Sequence, residues 1–258
     1  MLLAGKTAII YGAGGAVGGA IARAFAREGA RVFLAGRTPE KLEAVARSIG
    51  EGAEVRPVDA TDREAIERHF AAIVDQAGPI SLMFNAIDWG DTQGERLVDM
   101  GYERFGNPID KALRTWFYTG TTAARHMAAN GGGAIVGITA NAAREPYAMV
   151  GGFGVACAAV EHFLRQLGVE MGQYGVRVAN VRSAGSPDAP GVREAFMLRA
   201  QESGITLEEF ERQAGAGTAL RHLPSLAEVA DAAVLLASDY ARAMTVTSAN
   251  VTCGQQVD

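Results

Sequence analysis

The sequence of 258 residues has little with which to cross-link itself, hold a polyanion or enter a bilayer. Cysteine occurs twice, at Cys157 and Cys253, with no CxxC pair and no Cys/His cluster. That excludes a disulfide framework and a zinc site of the usual spacing, and it fits a reducing compartment. Basic residues are outnumbered, 24 Lys and Arg against 29 Asp and Glu, and a net charge of -5 provides no cationic face for nucleic acid. Each apolar run is interrupted by charges or glycine clusters before it reaches spanning length. The short apolar start at residues 1–4 leads through Gly5-Lys6 directly into a strand pattern, which leaves no room for a signal peptide. The expectation is a cytoplasmic protein that engages neither nucleic acid nor membrane.

With 48% hydrophobic and 21% charged residues, the chain can bury one large core, and a single domain over residues 1–258 is expected. Short β-branched runs alternate with longer helical patterns, the signature of βαβ units and a parallel sheet. Strands are predicted at 6–11, 31–35, 53–58, 80–84, 134–138 and 176–181, and helices at 16–28, 40–48, 109–129 and 150–173. This is an α/β, doubly wound parallel sheet with helices on both faces. Thr61, Thr206 and Ser225 each stand three residues before a Glu, the spacing at which a hydroxyl and a carboxylate cap each other's free N–H groups at a helix start. An excursion at about residues 183–224 is long enough to serve as a substrate lid.

The most informative segment is Tyr11-Gly12-Ala13-Gly14-Gly15-Ala16-Val17-Gly18, between the first strand and the first helix. Glycines there let the backbone turn tightly and approach a pyrophosphate, whose charge meets free N–H groups and the positive end of the helix dipole. Gly12, Gly14, Gly15, Val17 and Gly18 are therefore candidate cofactor-binding residues. Strand two ends in Gly36-Arg37-Thr38, with no carboxylate to take the ribose hydroxyls of NAD(H). Arg37 instead offers a guanidinium fork suited to a 2′-phosphate, so NADP(H) is favoured over NAD(H).

With these residues in place, the chain resembles the short-chain dehydrogenase/reductase family, whose fold is a Rossmann-type domain. The family's TGxxxGxG loop is matched at Gly12 and Gly18, with Tyr11 for the Thr and Ala16 for the middle Gly. Val58-Asp59-Ala60-Thr61-Asp62 resembles the adenine-contacting segment, which implies that role for Asp59 and Ala60. Phe84-Asn85-Ala86-Ile87 resembles the NNAG motif, implying a site role for Asn85 and Ala86. Ser183-Ala184-Gly185 stands where the family has a Pro-Gly turn near the nicotinamide, and Leu236-Ala237-Ser238-Asp239 and Gly254 match its last helix and strand exit.

The residues that carry the family's proton chemistry are replaced. The resemblance puts Ala140 at the serine position, Phe153 and Cys157 at the two ends of Tyr-x-x-x-Lys, and, counting back from His126-Met127, Ala112 at the asparagine position. Phe153 has no proton to give, and a thiol carries no cation at neutral pH. Substitute candidates are Tyr147, Thr139 and Asn141, near the end of the fifth strand where open α/β sheets bind ligands, with Asp188 and His222 at the borders of the excursion. Cys157 and the following Glu161 and His162 have blander readings, a buried filler and a solvated or interface pair. No metal is implied.

The leading expectation is an NADP(H)-binding oxidoreductase of a small organic carbonyl or alcohol with a non-standard active site. The alternatives are a catalytically degenerate cofactor-binding pseudoenzyme with a protein partner, or a lyase or isomerase that makes no use of hydride. The resemblance further implies a homo-oligomer, tetramer or dimer, paired through the long helices at 109–129 and 150–173, where Gly168 and Gly172 would allow close approach.

Overall fold

The computed structural model describes residues 1–257. Seven parallel strands form one sheet in the order β3-β2-β1-β4-β5-β6-β7. They are β1 (Thr7–Tyr11), β2 (Arg31–Gly36), β3 (Ala53–Pro57), β4 (Leu82–Asn85), β5 (Gly133–Ala140), β6 (Val176–Ser183) and β7 (Thr247–Val251). The crossovers carry α1 (Ala16–Arg27), α2 (Pro39–Ile49), α3 (Arg63–Ala77), α4 (Tyr102–Ala129) and α5 (Phe153–Met171). After β6 come α6 (Pro190–Glu202), α7 (Leu207–Ala216) and α8 (Leu226–Ala237). Because helices cover both faces, the strands are apolar on both sides, and the buried side chains fall into two clusters. One holds Ile10, Phe25, Leu34 and Phe84 between the sheet and α1 and α8. The other holds Ile9, Phe33, Trp116, Cys157 and Leu164 on the side of α4 and α5.

The predicted elements recur with three corrections. Helix α4 starts at Tyr102, two turns before the expected residue 109, and runs through Pro108. The backbone of that early turn presses on the start of α5, where a Cβ on Gly152 would lie 2.0 Å from the Phe105 carbonyl oxygen. The cap of α3 is Asp62, whose carboxylate accepts from the Ala65 N–H, and Thr61 is turned instead toward Asp59. The excursion after β6 is not an open loop, because it folds into α6 and α7, which meet through Phe196 and Phe210 at 5.2 Å between ring centroids. The capping box at Ser225 and Glu228 forms as the spacing predicts, and Thr206 caps α7.

Candidate dinucleotide site and the cleft beside it

The sheet order reverses between β1 and β4, and the crevice outside the C-terminal ends of these neighbours is where open α/β sheets take ligands. The chain turns there because Gly12 and Ala13 donate their N–H groups to the Ala35 carbonyl while Gly12 sits at φ +76°. A Cβ on Gly12 would lie 2.3 Å from the Ala86 carbonyl oxygen, and one on Gly18 would lie 2.2 Å from the Gly12 carbonyl oxygen. Both positions thus exclude any side chain, and α1 is held tight against the turn. The N-cap of α1, Gly15, makes no side-chain cap, so no side chain competes for the first-turn N–H groups, the arrangement that suits an anion.

A cleft of about 220 Å³ opens in front of this turn. Gly12, Gly14, Gly15, Arg37 and Thr38 line it on one side, and Asp59, Ala60 and Ala86 on the other. Asp59 accepts hydrogen bonds from the Thr61 N–H (2.9 Å) and Thr61 Oγ1 (2.8 Å). Those bonds, with the charges of Arg37 and Lys111, hold its carboxyl below the usual carboxylate range in spite of partial burial. Asn85 is not in the cleft wall but beneath it, where its Oδ1 accepts from the Ile87 N–H and its amide donates to Thr119 on α4, bracing the strand end as its polar character after an apolar run suggests. Val17 packs into the core below the turn. Gly185 lies apart from the cleft lining, at φ +91° against Val192 and Phe196 of α6.

Sequence reasoning missed Lys41 and Lys111, which also line the cleft. Lys41 sits in the first turn of α2, where its Cβ lies 2.9 Å from the place a Cβ on Gly14 would occupy, so it reaches over the glycine turn from the same side as Arg37. Its signal was available as the next cation after Arg37. Lys111 depended on the register of α4, which no local motif fixes.

The structure brings Ala140 and Cys157 together: the thiol hydrogen-bonds to the Ala140 backbone, and burial pushes its pKa up to about 12. Ala112 is fully buried in the same apolar cluster, and Phe153 packs against that cluster. The neighbour of Phe153 is Trp89, with ring centroids 6.1 Å apart, from the loop between β4 and α4 that sequence reasoning passed over. Trp89 is 9% exposed, and its indole N–H has no hydrogen-bond partner among the described residues. Asp91 follows on the same loop, held by Gln93 at 2.8 Å, and its charge acts on Cys157.

The three substitute candidates divide. Thr139 turns away into a buried network, donating to Glu161 (2.9 Å) and accepting from Asn180 (2.7 Å). Glu161 is 3% exposed and paired with Arg182 of β6, which corrects its reading as a solvated or interface residue; a buried carboxylate needs such a partner. His162 is exposed. Asn141 and Tyr147 do meet, with the Asn141 amide donating to the Tyr147 hydroxyl at 2.6 Å and to Gln255 at 3.3 Å. Burial and the Glu145 charge raise the Tyr147 pKa, against lowering by Arg199 and Asn141. The Asp188 carboxylate accepts from the Leu226 N–H at the start of α8, 38 residues on. His222 lies against Glu228 (3.1 Å) and Cys253 (3.6 Å), so both borders of the excursion are fastened to α8. No group of three metal-ligating side chains occurs among the described residues, and no helix among them is long and apolar enough to cross a membrane.

A doubly wound parallel sheet with a glycine turn at its switch point, an anion-ready helix start and a braced Asn85 defines a Rossmann-type, dinucleotide-binding class of protein. The comparisons with known proteins make the class specific: the chain belongs to the short-chain dehydrogenase/reductase family. The family model described as enoyl-(acyl carrier protein) reductase matches residues 12–256. The chain is 30% identical over 251 residues to 2,3-dihydro-2,3-dihydroxybenzoate dehydrogenase of Bacillus subtilis, covering 94% of this chain and 92% of that protein. It is 30% identical to sorbitol dehydrogenase of Cereibacter sphaeroides, covering 98% of each. A solved short chain dehydrogenase/reductase family protein superposes with a TM-score of 0.80 at 29% identity, covering 98% of each chain. The family is one of oxidoreductases that use nicotinamide cofactors.

Proposed function

We propose that the protein is an NADP(H)-dependent oxidoreductase of a small organic alcohol or carbonyl with a non-standard active site. The observation that carries the reading is the cleft wall at the end of β2, where Arg37 and Lys41 stand and Gly36-Arg37-Thr38 carries no carboxylate; the acids of the cleft, Asp59 and Asp88, come from beyond β3 and β4. The residues present fit the adenosine and phosphate portion of a dinucleotide: glycines would admit its backbone, the uncapped start of α1 would meet the pyrophosphate, Asp59 and Ala60 would hold the adenine, and Arg37 with Thr38 and Lys41 would take the 2′-phosphate. Bound there, the nicotinamide would supply the hydride.

What this chain contributes beyond binding is a polar corner at the end of β5. Tyr147 accepts its hydrogen bond from Asn141, which leaves the phenolic proton free for a substrate oxygen. With its pKa raised, the phenol keeps that proton through the neutral range. Tyr147 is thus the substitute acid, with Asn141 as its positioning residue, while Thr139 serves the buried Glu161–Arg182 pair. The segment at about 183–224 is the substrate lid, and a homo-oligomer fits the exposed Leu113, Phe117, Val155 and Val169 on α4 and α5. The curated relatives act, by their names, on hydroxyl-bearing compounds, which supports an alcohol and its carbonyl as the substrate pair.

The test is turnover of a panel of small alcohols and ketones with NADP+ or NADPH, repeated with Tyr147→Phe. A positioned general acid contributes about 100- to 10,000-fold, so a loss of at least about 100-fold in kcat is expected, with KM little changed. A second reading, a cofactor-binding pseudoenzyme, is supported by Trp89, which fills space beside Phe153 where the family's phenol and ammonium would work. NADPH binding without any turnover would favour it.

A further inference from the structure

The lid places one cation against the polar corner, and it makes no ion pair among the described residues. Arg199 lies on α6, half-buried, with its guanidinium carbon 5.1 Å from the centroid of the Tyr147 ring. Its neighbours Phe196 and Ala200 are buried and fix the inner face of α6, so Arg199 flanks that face and is carried to Tyr147 by the packing of the helix. Two carboxylates of neighbouring helices are engaged elsewhere: Glu209 on α7 is chelated by Arg212 at 2.6 and 2.9 Å, and Asp188 caps α8. Glu145 accepts from Gln256 at 3.3 Å and stays close enough for its charge to act on Tyr147, on which the charge of Arg199 acts in the opposite sense. Across Tyr147, the Asn141 amide and Gln255 complete a corner of polar groups with the Arg199 guanidinium at its rim.

A guanidinium lying over an aromatic ring keeps its N–H edge free, and that planar fork matches a carboxylate. We propose that Arg199 is the anchor for a carboxylate on the substrate, so that the physiological substrate is a small hydroxy acid or its keto form. The lid clamps the acid group while the reacting oxygen points to the Tyr147 hydroxyl. The proposal rests on the reading of this corner as the substrate site, and it adds the substrate's charge and the residue that recognises it.

The experiment is ligand-observed NMR titration of the full chain with acetate, butyrate and benzoate, each against its neutral amide. In the wild type at least one acid binds about tenfold more tightly than its amide, as a charge-assisted bidentate contact implies. Arg199→Gln brings the pair to within about twofold of each other by weakening the acid alone, and Arg199→Lys restores part of the preference. Equal binding of every acid and its amide in the wild type, or a preference that survives Arg199→Gln, overturns the proposal. NADPH binding is titrated on the same samples: if it is absent while the acid preference holds, the oxidoreductase reading fails and Arg199 stands. If NADPH binds normally in all samples and no acid is preferred, the carboxylate anchor alone is wrong. Normal NADPH binding by Arg199→Gln also shows that this variant is folded.

Discussion

Glu161 and Arg182 form a doubly hydrogen-bonded ion pair, Nε to Oε1 at 2.8 Å and Nη2 to Oε2 at 2.6 Å, with side chains 3% and 4% exposed. Glu161 lies one helical turn beyond Cys157, and Thr139 and Asn180 complete the network. Removing one partner of a buried pair strands the other charge in a low-dielectric interior, which costs about 3–5 kcal/mol. Glu161→Ala is therefore expected to lower the unfolding free energy by about that much in urea titration. A change below about 1 kcal/mol would mean that water reaches the pair.

The two thiols are expected to differ in reactivity. Cys157 is fully buried and its pKa is pushed up to about 12, whereas Cys253 is partly exposed. A disulfide reagent at neutral pH should modify one thiol per native chain and two in denaturant. Two fast-reacting thiols in the native protein would show that the α5 face opens readily.

The same thiol links stability to alkaline pH. A pKa raised from 9.0 to about 12 means that the fold retains the proton while the unfolded chain loses it. The associated stability is fully present below pH 9.0 and is lost as the pH rises toward about 12. Tyr11, fully buried with no partner for its hydroxyl among the described residues, has its pKa raised by the same desolvation and adds to the loss from about pH 10.0 upward, overlapping the Cys157 range. Cys157→Ala should flatten the decline between those values, measured as Tm against pH, even if its overall Tm is lower. An unchanged slope would contradict the burial.

Asp188 fastens the start of the excursion to α8 through the Leu226 N–H. Replacing Asp188 by Ala removes that acceptor and should accelerate limited proteolysis within residues 183–224 several-fold, with a global cost near the ~1 kcal/mol typical of a lost helix cap. Cleavage at the wild-type rate would show that His222 and Glu228 hold the segment unaided.

Much of this was legible in the sequence. The alternation of β-branched runs and helical patterns marked six of the seven strands and the helices α1, α2, α4 and α5, and Gly12 and Gly18 announced a turn that the Ala86 and Gly12 carbonyls leave no room to substitute. Asn85 was readable because a polar residue ending an apolar strand has backbone to brace. What escaped depends on contacts distant in sequence. Glu161 looks like a surface carboxylate until Arg182, 21 residues later, is laid beside it on β6. Trp89 falls in a loop without periodicity, and only the fold sets it on Phe153. The early start of α4 runs against Gly106 and Pro108, whose propensities local reading rightly counts as unfavourable, and tertiary packing on α5 overrides them.

The central claim, that this cleft seats NADP(H) through a cation at the end of β2, is tested most directly by fluorescence titration of NADPH and NADH against the wild type and Arg37→Ala. The predicted result is saturable NADPH binding that Arg37→Ala weakens by about ten- to a hundredfold, the worth of a charge-assisted phosphate contact, with NADH affinity changed by less than about threefold. Equal losses for the two nucleotides, or no binding of NADPH to the wild type, would contradict it.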